Sequence, residues 1–280
     1  MNKALAIFEL MRLDKPIGIY LLLWPALLAL VISTNGDFEY ADLLIVIAGS
    51  VLVRSAGCVI NDIWDKDLDG GVERTKTRPI PSKKLSISES WAVFAILGVL
   101  SLMLLSLTNT NTMYVSICFG LMIVIYPLTK RFFIGPQIFL GLTFNPTIIV
   151  YAMTNELNNP TMIFLYLAIA AKTIAFDSFY GLCDIDDDKK LGINSTPLWW
   201  GSKTLLIIAI LQFTVIGLLL IVGSKAGLSF AWYIGIILLS GFYFYQHKLA
   251  SQKNFLLAFK NNHWASLYLL MLSGFCFLII

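Results

Sequence analysis

Residues 54–69, RSAGCVINDIWDKDLD, run out of an apolar stretch into four aspartates, and residues 176–188, FDSFYGLCDIDDD, do the same with five. Nine of the 17 acidic residues of the chain lie in these two stretches. Carboxylates massed beside long apolar segments repel one another and are costly to desolvate, so a bound cation or a functional site is the usual reason for keeping them. The first expectation is Mg2+ and a substrate that Mg2+ carries. The plainer alternative, solvated charges at segment ends, weakens because the acids recur at helical spacing on two non-adjacent segments. Asp177 weakens it further, lying seven residues before Asp184 among apolar neighbours.

Helical geometry groups these residues. If the first segment stays helical through its acidic end, about 100° per residue puts Arg54, Asn61, Asp65 and Asp69 within roughly 80° of one another. Asp177, Asp184 and Asp188 fall within about 40°, with Asp186 and Asp187 pointing elsewhere. Two such stripes facing each other across a bundle offer up to five carboxylates and one amide oxygen. That donor set suits Mg2+, which takes oxygen ligands and commonly keeps waters and substrate phosphates in its shell.

The rest of the chain is built for lipid. Of its 280 residues 58% are hydrophobic and 13% charged, about half the charge of a soluble domain, and the mean hydropathy is +0.79. Apolar runs long enough to cross a bilayer are predicted at about 17–33, 42–60, 91–108, 112–128, 136–153, 160–182, 204–223, 228–245 and 264–280. With short connections between them, residues 1–280 form one all-α, polytopic membrane domain. Seventeen of the 20 Lys and Arg fall on the side of the N-terminus and of both acidic stretches, and only Lys225 lies in an opposite loop. By the positive-inside rule that side is cytoplasmic.

Glu9 and Asp14 lead straight into a full-length span, so neither a cleavable signal nor an acid-poor transit peptide is expected, and the bacterial inner membrane is the expected location. Met1 to Leu13 reads as an interfacial helix closed off by Pro16. The cysteines have no CxxC spacing and no redox or zinc role is expected.

Arg54 lies about two turns, roughly 10 Å, deeper than Asn61 on the same face. An arginine at that depth is expensive unless it is paired or functional. It either makes an ion pair with an aspartate or forms a cationic floor that grips an organic anion through its planar fork. Nearer the surface, Lys66, Arg74, Lys76, Arg78, Lys83 and Lys84 crowd the loop after the first acidic stretch, and Lys130 and Arg131 close the fourth span one turn after Tyr126. These cations fit a diphosphate. Arg74 and Arg78 are the preferred contacts, because Pro79 and Pro81 stiffen the strip beyond them.

At these residues the chain resembles the UbiA superfamily of intramembrane prenyltransferases, and within it the 4-hydroxybenzoate polyprenyltransferase family. The matching stretches are RLDKPIGIYLLLWP (12–25), residues 54–82, YPLTKR (126–131), GPQIFLG (135–141), residues 176–196 and YQHKL (245–249). The resemblance implies nine transmembrane helices around a central cavity open to lipid, with Asp-rich loops as a cytoplasmic cap. It makes Asn61, Asp65 and Asp69 one metal motif and Asp177, Asp184 and Asp188 the carriers of the other. Arg54 matches an aromatic-acid contact, and Tyr126 and Lys130 match groups near the diphosphate. The expected partners are polyprenyl diphosphate, 4-hydroxybenzoate and membrane lipid, without nucleic acid or an obligate protein partner.

The expected reaction is Mg2+-dependent transfer of the prenyl group to the ring carbon ortho to the hydroxyl. Asp65 and Asp184 are the main metal ligands, with Asn61, Asp69 and Asp188 beside them, and Asp177 takes the ring proton. Phe144-Asn145-Pro146 and Lys172 depart from the family pattern and are expected to reshape the acceptor pocket, with snorkelling or pairing an equal alternative for Lys172. The same superfamily prenylates other rings. A carrier that binds a divalent cation is the alternative of a different class, although no chain of polar residues continues toward the far side of the membrane.

Overall fold

The computed structural model describes residues 3–70 and 75–278, and among them there is no strand. A short helix α1 (Lys3–Leu10) precedes α2 (Ile17–Ser33) and α3 (Tyr40–Trp64), which a single turn α4 (Lys66–Asp69) extends. Then come α5 (Ile87–Leu105), α6 (Thr110–Thr129), the short pair α7 (Pro136–Thr143) and α8 (Thr147–Met153), and α9 (Thr161–Leu191). The chain closes with α10 (Thr196–Trp200), α11 (Thr204–Lys225), α12 (Phe230–Ser251) and α13 (Phe255–Leu278).

Five helical stretches are long and apolar enough to cross a membrane: α3, α5, α6, α9 and residues 196–225. The bundle turns apolar side chains outward as well as inward. Leu102, Phe213 and Phe244 are 58%, 73% and 76% exposed, which suits lipid rather than water. This is a multi-pass membrane protein.

Local chemistry sets the helix ends. Ser86 and Glu89 form a capping box at the start of α5, and Asn109 caps α6 through the Thr112 N–H while its amide donates to the carbonyls of Ala152 and Met153, tying α6 to the end of α8. The predicted 136–153 span is two half-helices. Pro146 brings no N–H to the break, and Asn145 fills the gap, accepting from the Thr147 N–H at 3.2 Å and donating to the Tyr166 carbonyl at 2.8 Å. Irregular backbone at membrane depth survives where protein or a cavity covers it, and Phe144, Asn145 and Pro146 line a cavity.

Helix α9 is the axis, packing against α2, α7, α8, α10, α11 and α13. It does not end near residue 182 as predicted. It runs on to Leu191 and stops at Gly192, whose φ of +66° is the left-handed turn that closes helices. The second acidic stretch is therefore helical, not a loop. Side-chain amides join the last three helices, with buried Gln212 donating to buried Gln246 at 2.8 Å and Gln246 to Asn261 at 3.0 Å. The predicted N-terminal helix is present as α1. Ala6 and Leu10 pack on α3 and on the strap at 75–85, while Leu5 and Phe8 stay exposed.

Helices α11 and α12 approach closely at Gly223. A Cβ on Gly223 would lie 2.2 Å from the Trp232 ring, which is fully buried and donates from Nε1 to the Leu219 carbonyl. Gly223→Ala is expected to cost about 1–3 kcal/mol, visible as a lower Tm of the detergent-solubilised protein; an unchanged Tm would show that Trp232 has room to move.

Candidate active site

A cavity of about 1410 Å³ opens inside the bundle. Arg54 projects into it from α3, with the guanidinium carbon 5.4 Å from the centre of the Phe144 ring. Its Nε is buried with no hydrogen-bond partner, and no carboxylate within 4.0 Å is paired with it among the described residues. Of the two readings of Arg54, the intramolecular ion pair is the one not made. Gly18 on α2 allows the arginine to lie there, since a Cβ would stand 2.4 Å from Arg54 Nε. Tyr126 and Asp177 line the same cavity, near enough to Arg54 for each to feel its charge.

The first acidic wall is the end of α3 with α4. Asp65 caps α3, its N–H bonded to the Asn61 carbonyl, and Asp69 follows one turn later with its N–H on the Asp65 carbonyl. The helical path thus continues nearly unbroken and keeps the predicted face together. Lys130 reaches across from the end of α6 to Asp65 Oδ2 at 2.5 Å, and the Asn61 amide donates to the same oxygen at 3.1 Å. Asp65 Oδ1 is buried without a partner. Burial pushes the Asp65 carboxyl above the ordinary aspartate range, against the pull of Lys130. Arg78 donates to Asp69 at 2.7 Å. Asp177, Asp184 and Asp188 form the opposite wall along α9, and all three line the cavity, whereas Asp186 and Asp187 do not.

The profile of the UbiA prenyltransferase family matches residues 22–277. The chain belongs to that family. A relative from Alcanivorax borkumensis, a 4-hydroxybenzoate octaprenyltransferase, is 41% identical over 262 residues, covering 92% of this chain and 90% of its own. The apo structure of a UbiA homolog from Aeropyrum pernix K1 superposes with a TM-score of 0.79 at 23% identity, over 90% of this chain and 94% of that one. A UbiA homolog from Archaeoglobus fulgidus bound to GPP and Mg2+ superposes with a TM-score of 0.75 at 16% identity, over 98% and 100%. At those identities the two structures speak for the fold.

In this UbiA-family chain all ten sequence-predicted site residues with described positions line the cavity: Arg54, Asn61, Asp65, Asp69, Arg78, Tyr126, Lys130, Asp177, Asp184 and Asp188. Arg74 lies outside the described residues. All five carboxylates expected on the two faces line the cavity, and among the described residues no three acidic, histidine or cysteine side chains stand close enough to hold one ion between them. What fits is a cation bound by one or two carboxylates and completed by water and phosphate oxygens, with the orphaned Oδ1 of Asp65 as the clearest free ligand atom.

Lys172 takes the pairing alternative. It does not reach the acceptor cavity: it is 2% exposed and donates to Ser266 Oγ at 2.5 Å and to the Asn262 carbonyl at 3.4 Å, pinning α9 to α13. Sequence reasoning also passed over Asp62. That carboxylate is 1% exposed and takes hydrogen bonds from Arg12 at 2.9 and 2.8 Å and from Arg78 at 3.1 Å. The ND dipeptide at 61–62 was the available signal, but only Asn61 falls on the predicted stripe.

Proposed function

We propose that this chain catalyses Mg2+-dependent transfer of a polyprenyl group from polyprenyl diphosphate to the ring carbon ortho to the hydroxyl of 4-hydroxybenzoate, a step of ubiquinone biosynthesis. One observation carries the proposal: a single cavity joins a deep guanidinium with an unsatisfied N–H to two carboxylate walls that share it with basic side chains. The relative from A. borkumensis, named for 4-hydroxybenzoate, supplies the acceptor. The homolog bound to GPP and Mg2+ supplies the class of donor and the metal.

In this scheme Arg54 holds the acceptor carboxylate through its fork, directing the phenol end toward the acidic walls. Asp65 on one wall and Asp184 on the other would hold Mg2+, each ion taking one or two carboxylates, with Asn61, Asp69 and Asp188 beside them and water and phosphate oxygens completing the shell. The metal would neutralise the diphosphate as it leaves. Arg74, Arg78, Lys130 and the Tyr126 hydroxyl bind the diphosphate oxygens; the allylic C–O bond ionises, diphosphate leaves with the bonding electrons, and the ring carbon attacks the allylic cation that results. Asp177 takes the proton the ring gives up. The apolar walls around Phe144 and Pro146 keep bulk water from the cation.

We read nine crossings, counting the five long apolar stretches together with α2, the α7–α8 pair, α12 and α13. The whole chain, 1–280, is one domain of the bacterial inner membrane, its N-terminus and acidic walls cytoplasmic, as the bias of Lys and Arg favours. It needs neither nucleic acid nor an obligate protein partner.

A membrane assay with radiolabelled 4-hydroxybenzoate, a long polyprenyl diphosphate and Mg2+, with and without EDTA, tests this. Label is expected in the lipid fraction only with the metal. Mg2+-dependent diphosphate release with a different aromatic acid, and none with 4-hydroxybenzoate, would overturn the acceptor and keep the chemistry. Neither label nor release from folded protein would favour the carrier.

A further inference from the structure

Arg12 has a positive φ of 59°, a conformation that costs a side-chain-bearing residue of the order of 1 kcal/mol. It ends the turn after α1, where its Nη1 donates to the Glu9 carbonyl at 3.1 Å while Nη2 takes both oxygens of Asp62. Strain held in place by a buried ion pair invites a functional question. A single buried carboxylate is compensated by one guanidinium, yet Asp62 has two, for Arg78 Nη1 bridges Asp62 at 3.1 Å and Asp69 at 2.7 Å. Arg78 sits on the strap at 75–85, and that strap is fastened to α1 a second time by Lys84 and Glu9 at 2.7 Å. Arg78 itself lines the cavity.

We propose that Arg12 and Asp62 are positioning residues: together they fix the guanidinium of Arg78 at the cavity wall where it meets the diphosphate of the prenyl donor. Asp62 anchors Arg78 Nη1, and Arg12 holds the Asp62 carboxyl in orientation from behind. Without Arg12, Asp62 would have Arg78 as its only guanidinium and would draw it away from the cavity. This rests on reading the acidic end of the cavity as a diphosphate site.

Calorimetric titration of inorganic diphosphate with Mg2+ into the purified full chain tests it. Arg12→Lys keeps the charge but loses the fork, and is expected to weaken diphosphate binding about tenfold. Arg78→Ala should weaken it further. In the Arg78→Ala background, Arg12→Lys should change the Kd by less than about twofold, since its route has gone. Asp62→Asn, close in shape, should match Arg12→Lys and serves where that variant folds poorly. The KM for 4-hydroxybenzoate should stay unchanged in both, which a general loosening of the bundle would not allow. Wild-type affinity in Arg12→Lys and Asp62→Asn, or a tenfold loss that persists without Arg78, would overturn the proposal while leaving the diphosphate site standing. No uptake of diphosphate by the wild-type chain would instead overturn the site itself.

Discussion

Asp65→Ala and Asp184→Ala are each expected to abolish prenyl transfer, lowering kcat/KM by about a thousandfold or more, the equivalent of about 4 kcal/mol of transition-state stabilisation. The two residues stand on opposite walls of one cavity. Asp65 has a buried oxygen with no partner, ready for a ligand. The fold should survive both changes. Lys130, which loses its partner in Asp65→Ala, keeps about a quarter of its side chain exposed and can turn to water instead of being stranded. Equal Tm values and monodisperse gel filtration beside a dead assay would place the loss in the chemistry. Turnover retained with Mg2+ in either variant would remove that residue from the metal site.

Helical period carried the sequence reading this far. Asn61, Asp65 and Asp69 recur every four residues, and Asp177, Asp184 and Asp188 at seven and four, so a face could be drawn for each before any coordinate was known. The structure keeps both faces on one cavity, and it does so because Asp65 and Asp69 continue the hydrogen-bonded path of α3 and because α9 is unbroken to Leu191. What periodicity cannot carry is pairing between distant segments. Arg12 meets Asp62 across 50 residues, and Lys172 meets Ser266 across 94. Lys172 looked like a pocket residue from its place five residues before Asp177, but five residues is well over one helical turn. It lands on the face toward α13, where neutral oxygens satisfy it. The break at 144–146 had a visible cause in Pro146, but hydropathy alone runs straight through it.

The two ends of the cavity use charge differently, and this separates their mutants. At the acidic walls, positive side chains already lie on the carboxylates: Lys130 on Asp65 and Arg78 on Asp69. Changes there alter a network, so their effects should not add. Arg54 lies at the other end against a glycine and an aromatic ring, with Tyr126 and Asp177 lining the same cavity and no ion pair made to it among the described residues.

Arg54→Ala is therefore expected to raise the KM for 4-hydroxybenzoate by about 30- to 150-fold, since a charge-assisted fork to a carboxylate is worth about 2–3 kcal/mol. The KM for the prenyl donor should change little. Stability should not fall with activity. A buried guanidinium with an unsatisfied Nε is costly to hold, so its removal should leave the Tm unchanged or raise it. Gly18→Ala offers an independent route to the same phenotype: the new Cβ would stand 2.4 Å from Arg54 Nε and 2.6 Å from Nη2. These atoms end a flexible side chain, so the arginine should swing away while the helices stay. If Gly18→Ala raises the acceptor KM as Arg54→Ala does, with the fold intact, the position of the guanidinium, and not only its charge, holds the acid. A collapse of donor affinity in both variants would assign Arg54 to the diphosphate instead.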